Sequence, residues 1–376
     1  MSLILLLGIS CKKAPKNSIN ELISQGFHIP NSDTQLLGIL ENNSSYTVKV
    51  INTNLIFEPN KEFGSYSFGD LLKLDDKKLL CITNRYHVLD DFGYAEFAAK
   101  ISDDKGMTWN NEELFKSNTS GLNILSPNLL RIDSNHVIFI YAHKINNRLI
   151  DIYMQTSLDN AVTFDDAKKI NTIQGYQAFN NSRIIRLKSG RIILPVSIFE
   201  ESSDLYKIFC YYSDDLGKTW QTSSLLSSDV SLMEPGVVEL PNGELLMVIR
   251  TKQGTLYFSK SNDKGKSWKT LYYSKLVSPD SPGTVLNFKD KLVIFWNDTN
   301  YVPNEYRNRT PLNMAISEDN GVTWNMLGKI EANEAYHYSY LSAFSDEEDM
   351  YLTYYKRPRQ ADRSVLVFSK IMVLKK

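Results

Sequence analysis

The sequence predicts an all-β chain, a six-bladed β-propeller of four-stranded antiparallel blades. Two repeats and one absence carry that reading. An eight-residue turn motif recurs five times, a hairpin signature recurs six times in step with it, and no convincing helix of three turns interrupts them. Four-stranded sheets arranged radially around a channel make a propeller, and the hairpin count sets the number of blades.

The clearest copy of the motif is Ser213-Asp214-Asp215-Leu216-Gly217-Lys218-Thr219-Trp220. Others begin at Ser102, Ser261 and Ser317, and a decayed form runs from Ser157 to Phe164. Successive starts are 55, 56, 48 and 56 residues apart. The Asp and Ser/Thr side chains suit a tight turn because they bond to nearby backbone groups, and the Gly supplies a positive φ. Trp109, Trp220, Trp268 and Trp324 close four of the copies, so they read as apolar plates between sheets. The motif is therefore a folding device, and its Asp residues are structural.

In chain order, the run before Cys11 is short, apolar and ends in small residues, resembling the end of a bacterial lipoprotein signal. It is too short to span a bilayer and lacks a basic leading region. The expectation is a signal remnant over 1–11 and a lipidated Cys11 tethering the protein outside the cytoplasm. A polar linker then covers 12–45, and the propeller occupies 46–376. Val48 to Phe57 alternates as a strand does. Hairpins follow around Asp75-Asp76, Ser134-Asn135, Ser189-Gly190, Asn242-Gly243 and Lys289-Asp290, with the sixth inside Ala343 to Tyr355. Each of the first five leads into an alternating strand and then a turn motif, whereas the sixth leads only to a strand pattern from Ser364 to Leu374.

The 42 basic and 43 acidic residues leave a net charge of −1, which offers no footprint for nucleic acid. Three Cys, with Cys81 in an apolar strand, imply no disulfide framework, and the five His show no metal spacing. No cofactor or catalytic metal is expected. A ring that closes on itself requires no partner, so a monomer is the default. The 21 Tyr suit sugar-stacking surfaces as well as β-rich cores.

Six blades with recurring Ser-x-Asp-x-Gly-x-Thr-Trp turns resemble the sialidase (neuraminidase) superfamily of Asp-box, or BNR-repeat, propellers, over roughly residues 60 to 370. The resemblance implies a site. Met233-Glu234-Pro235-Gly236, followed by Leu246 to Arg250, resembles the segment carrying the catalytic Glu and a substrate-binding Arg. Tyr338, in Tyr336-His337-Tyr338-Ser339-Tyr340, resembles the nucleophile, and Arg309 a further arginine of the family's triad. Asp91, in the loop before Ala95, falls where the acid/base Asp is placed. Ser67 stands where the triad's first Arg belongs; Arg183 is the candidate substitute, and Asp70 close by is counted among the substrate-binding residues, where it would repel a carboxylate.

Glycoside hydrolysis needs an acid on the leaving oxygen and, with retention, a nucleophile on the opposite face; sialidases use Tyr for the latter. A phenol needs a neighbouring base, which Glu234 would supply, and Asp91 would need to arrive protonated. Arginines would hold an acidic group by fork-like hydrogen bonds. The expectation is an exo-acting glycoside hydrolase removing a terminal, acidic sugar from an oligosaccharide or glycoconjugate. The alternatives are a glycan-binding propeller without turnover, and a hydrolase or lyase acting on a different sugar.

Overall fold

A computed structural model describes residues 39–41, 45–88, 90–269, 271–303, 308–347 and 349–376. Cys11, the apolar run before it and most of the 12–45 linker lie outside the described residues. Those that are described form six sheets and no α-helix. Blades one and two run through Ser65–Lys73, Leu79–Tyr86, Ala95–Ser102 and Glu113–Lys116, then Asn123–Arg131, Val137–Lys144, Ile150–Ser157 and Lys168–Lys169. Blade three has its inner strand split into Gln177–Ala178 and Ile185–Arg186, both paired with Ile192–Glu200. Blade four starts at Met233–Glu239 and blade five at Thr284–Phe288. Within the predicted linker, Ile39–Glu41 adds a parallel strand to the outer edge of blade five.

Blade six explains why it has no turn motif. Its three sequential strands are Tyr336–Asp346, Asp349–Pro358 and Val365–Lys375, and its outermost strand is Tyr46–Phe57, from the other end of the propeller. In blades one to five the motif joins the third strand to the fourth; here the fourth comes from elsewhere in the chain. The ring is thereby closed by antiparallel pairing of its two ends, which leaves no open edge at the junction.

The core is divided into six layers, one between each pair of neighbouring blades. Tyr66, Cys81 and Phe368 meet between blades six and one, and Phe97 and Phe139 between one and two. The remaining junctions are filled in the same way. Each motif aromatic enters the layer shared with the preceding blade: Trp109 with blade six, Phe164 with blade one, Trp220 with two, Trp268 with three and Trp324 with four. Cys81 and Cys210 are buried free thiols.

The turns repeat bond for bond. Ser102 Oγ accepts from the Gly106 amide at 2.8 Å and donates to Asp104 Oδ1 at 2.8 Å, while Asp104 accepts from the Thr108 amide at 2.8 Å and hydroxyl at 2.6 Å. The same set recurs at Ser213, Ser261 and Ser317, and in the decayed copy at Ser157. Two successive residues take positive φ, 60° at Lys105 and 85° at Gly106. A Cβ on Gly106 would lie 2.1 Å from the Phe368 ring, so glycine is required by close approach as well as by φ.

Candidate functional site

The inner strands share an irregularity that aims side chains at the axis. Pairing of inner and second strands slips between Ser67 and Asp70, Leu125 and Asn128, Met233 and Gly236, and Ser339 and Ser342. At each slip one residue turns into the left-handed region: Phe68, Ser126, Glu234 and Tyr340, with φ of 57°, 58°, 43° and 53°. A bulge re-aims a side chain that strict alternation would send elsewhere. Each of these residues lies nine to eleven positions before the start of its blade's second strand; in blade five, Asp280 lies in the segment just before the inner strand, which pairs without a slip. All five line a cleft of about 750 Å³ at one end of the ring.

Glu234 and Tyr340 meet in this cleft. The Tyr340 hydroxyl donates to Glu234 Oε1 at 3.3 Å, and Arg250 Nη1 pairs with Glu234 Oε2. Arg250 Nε donates to Asp280 Oδ1 at 2.6 Å. Arg309 donates from Nη1 to the Tyr355 hydroxyl and from Nη2 to the Asp280 carbonyl, each at 3.1 Å, and its guanidinium stands 5.1 Å from the centre of the Tyr340 ring. Phe68 packs on the other side of Tyr340, ring centres 4.2 Å apart.

Burial and then the Glu234 carboxylate hold the Tyr340 phenol above its ordinary value, with Arg309 and Arg250 opposing. Burial works against charge on Arg250, but Glu234 and Asp280 outweigh it and keep the guanidinium firmly protonated. Asp91 lies exposed on the rim, in the loop between the second and third strands of blade one. Lys144 Nζ donates to its backbone carbonyl at 2.5 Å and Asn123 Nδ2 at 3.1 Å, which pins the loop. Among the described residues no group of three or more His, Cys, Asp or Glu could hold a metal ion.

Three sequence-based expectations are corrected. Tyr338 does not face Glu234: it is fully buried in the layer between blades five and six, and its hydroxyl reaches the Asn333 carbonyl at 3.4 Å. The bulge after Ser339 turns Tyr340 into the cleft instead. Counting eleven positions back from the second strand, as for Glu234, lands on Tyr338; Tyr340 lies nine back because the hairpin of blade six is shorter. Asp70 does not line the cleft either. It is buried beneath it, accepting from the amides of Leu71 and Leu129 at 2.9 and 2.7 Å and from Ser342 Oγ at 2.8 Å, so it ties blades one, two and six together.

Arg183 is the third correction. It is buried below the cleft and donates to Thr284 Oγ1 and the Gly283 carbonyl, both at 3.2 Å, so it supplies no replacement for an arginine at Ser67. Ser67 itself lines the cleft. The cleft also takes in Asp280, Tyr176, Tyr206, Tyr355, Lys144 and Arg357, none of which the motifs point to. Tyr355 belongs to the sixth hairpin, but alternation along a strand does not say which end of the ring a side chain reaches.

Comparison with known proteins agrees with this architecture. A sialidase of Clostridium perfringens is 26% identical over 225 residues, 52% of this chain and 58% of that one. A sialidase of Vibrio cholerae is 28% identical over 167 residues, 36% of this chain and 21% of that one. The chain thus spans less than two thirds of the length of these relatives. Among solved structures, a protein of unknown function from Dyadobacter fermentans superposes with a TM-score of 0.71 at 18% identity, covering 87% of this chain and 99% of that one. Trypanosoma rangeli sialidase in complex with sialic acid gives 0.65 at 16%, covering 89% and 60%. An intramolecular trans-sialidase from Ruminococcus gnavus gives 0.67 at 13%, covering 85% and 97%. At such identities the structures speak for the fold alone. The family model for the BNR repeat-like domain matches residues 98–352, and the chain, a sialidase-like six-bladed propeller, belongs to that family.

Proposed function

We propose that this propeller is an exo-acting, retaining glycoside hydrolase. The observation that carries the reading is the hydrogen bond from Tyr340 to Glu234, between axis-facing positions of blades four and six. Glu234 takes the phenolic proton as the Tyr340 oxygen attacks the anomeric carbon. Asp91 protonates the departing glycosidic oxygen. Water, deprotonated by Asp91, then attacks the same carbon, the C–O bond to Tyr340 breaks, and the phenol recovers its proton from Glu234. Two displacements on one centre leave its configuration unchanged. A phenol is a poor nucleophile without such a base, and burial makes the dependence on Glu234 sharper. Similarity to the sialidases of C. perfringens and V. cholerae supports this class of chemistry. Placement outside the cytoplasm through Cys11 belongs to the same proposal and rests on the apolar run before it.

The test is turnover of a panel of methylumbelliferyl glycosides, acidic and neutral, by wild type and by Tyr340→Phe, with the first-formed anomer read by NMR. Release by wild type with retention, lost in the variant, supports the reading. Equal turnover by the variant, or inversion, overturns it. Saturable binding of a glycan to wild type, with no glycoside of the panel released, would make the propeller a lectin.

A further inference from the structure

We propose that Asp280 is a resident anion of the cleft, and that the sugar bound here is uncharged where Arg250 and Arg309 face it. This rests on the glycosidase reading for the presence of a sugar, not for turnover. Asp280 lies just before the inner strand of blade five, is only 3% exposed and lines the cleft. Its carboxylate takes Arg250 Nε at 2.6 Å, and Lys252 Nζ stands 4.0 Å from its other oxygen. Burial pushes the carboxyl up, but Arg250, Arg309 and Lys252 outweigh burial and keep it ionised, below the ordinary range.

Capture of a substrate carboxylate requires a guanidinium edge whose N–H groups are not already engaged within the protein. Arg250 has both Glu234 and Asp280 on it. Arg309 is turned to the Tyr355 hydroxyl and the Asp280 carbonyl. Two arginines and two carboxylates cancel in formal charge. Lys144 points its ammonium at the Asp91 carbonyl and the faces of Phe92 and Tyr176, and Arg357 pairs with Asp362. Ser67 contributes no charge. An incoming carboxylate would therefore meet Asp280 in the place it needs, at the cost of like-charge repulsion.

Asp280 is also held fixed. Pro279 and Pro282 flank it, and Ser281 Oγ donates to Asn297 Oδ1 at 2.6 Å. A fixed carboxylate beside the reacting carbon stabilises the positive charge that develops there, and it disfavours a second carboxylate as nucleophile. The neutral phenol of Tyr340 suits that setting.

The experiment is calorimetric titration of N-acetylneuraminic acid and glucuronic acid into wild type, Asp280→Asn and Asp280→Ser, with folding checked by circular dichroism. The expected result is no saturable binding to wild type and saturable binding to a variant about tenfold or more tighter than the weakest affinity the wild-type titration would detect, the worth of one charge-assisted contact. Saturable binding of either acid to wild type overturns the proposal, and so does the absence of any gain in both folded variants. If neither variant folds, the wild-type panel decides: turnover of neutral glycosides with refusal of acidic ones supports it, and turnover of acidic ones overturns it. Because titration reads binding alone, loss of the hydrolase reading leaves this outcome separately legible.

Discussion

Tyr340 of blade six donates its hydroxyl to Glu234 of blade four at 3.3 Å, although 106 residues separate them. Both side chains sit on positive-φ residues of inner strands, and Asp280, from the segment before blade five's inner strand, lines the same cleft. The catalytic proposal depends on this convergence, and so do the first two predictions.

Tyr340→Phe is expected to lower kcat by on the order of 10³-fold or more on any aryl glycoside that wild type turns over. Tyr338→Phe should leave kcat close to wild type and cost about 1 kcal/mol of stability, since its hydroxyl bonds outside the cleft, to the Asn333 carbonyl and the Glu331 side chain. Parallel kinetics and thermal melts separate the two tyrosines. Inactivity of Tyr338→Phe with an active Tyr340→Phe would reverse the assignment.

Glu234→Gln keeps the shape of the side chain but cannot take the phenolic proton. The expected loss is about 10² to 10⁴-fold in kcat, largest on substrates with poor leaving groups. Azide, offered as an external nucleophile, would show whether the lost step is attack at the anomeric carbon.

Asp70 gives a pH signature. Burial raises its folded-state value to about 6, from an unperturbed 3.8, with its hydrogen bonds opposing. Between those two values the folded state binds the proton more tightly than the unfolded state. Its contribution to stability is therefore fully present below the lower value and is lost as pH rises through the upper one. The melting temperature of wild type relative to Asp70→Asn should fall as pH is raised from about 4 to 6. A flat difference across that window would refute the assignment.

Gly106→Ala should destabilise by about 2–5 kcal/mol, combining left-handed backbone strain with a collision against Phe368 in the layer between blades six and one. Ala161, already in the left-handed region at φ 65° in the decayed turn, should accept glycine with little change. Urea unfolding of both variants measures the contrast.

Much of the fold is local and was legible residue by residue. Ser102, Asp104, Gly106 and Thr108 close their turn within seven residues, so spacing alone displays it, and the hairpins follow from Asp/Asn/Gly turns between apolar runs. The six blades could be read in this way, whereas the segment holding Glu234 and Arg250 was legible through its resemblance to sialidases. The pairing of Tyr46–Phe57 with Val365–Lys375 could not, because nothing in an isolated strand names a partner some three hundred residues away.

The site divides along the same line. Sequence by itself determined a repeated β architecture and its number of blades. Only the tertiary structure decided which side chains reach the cleft, because a bulge displaces alternation by a residue that the pattern does not show. It sent Tyr338 into the core and Tyr340 to Glu234. It put Asp70 and Arg183 below the cleft as ties between blades, Asp70 to blades two and six and Arg183 across to blade five. It also placed Asp280 against Arg250, a pairing of two blades whose charges no linear motif relates.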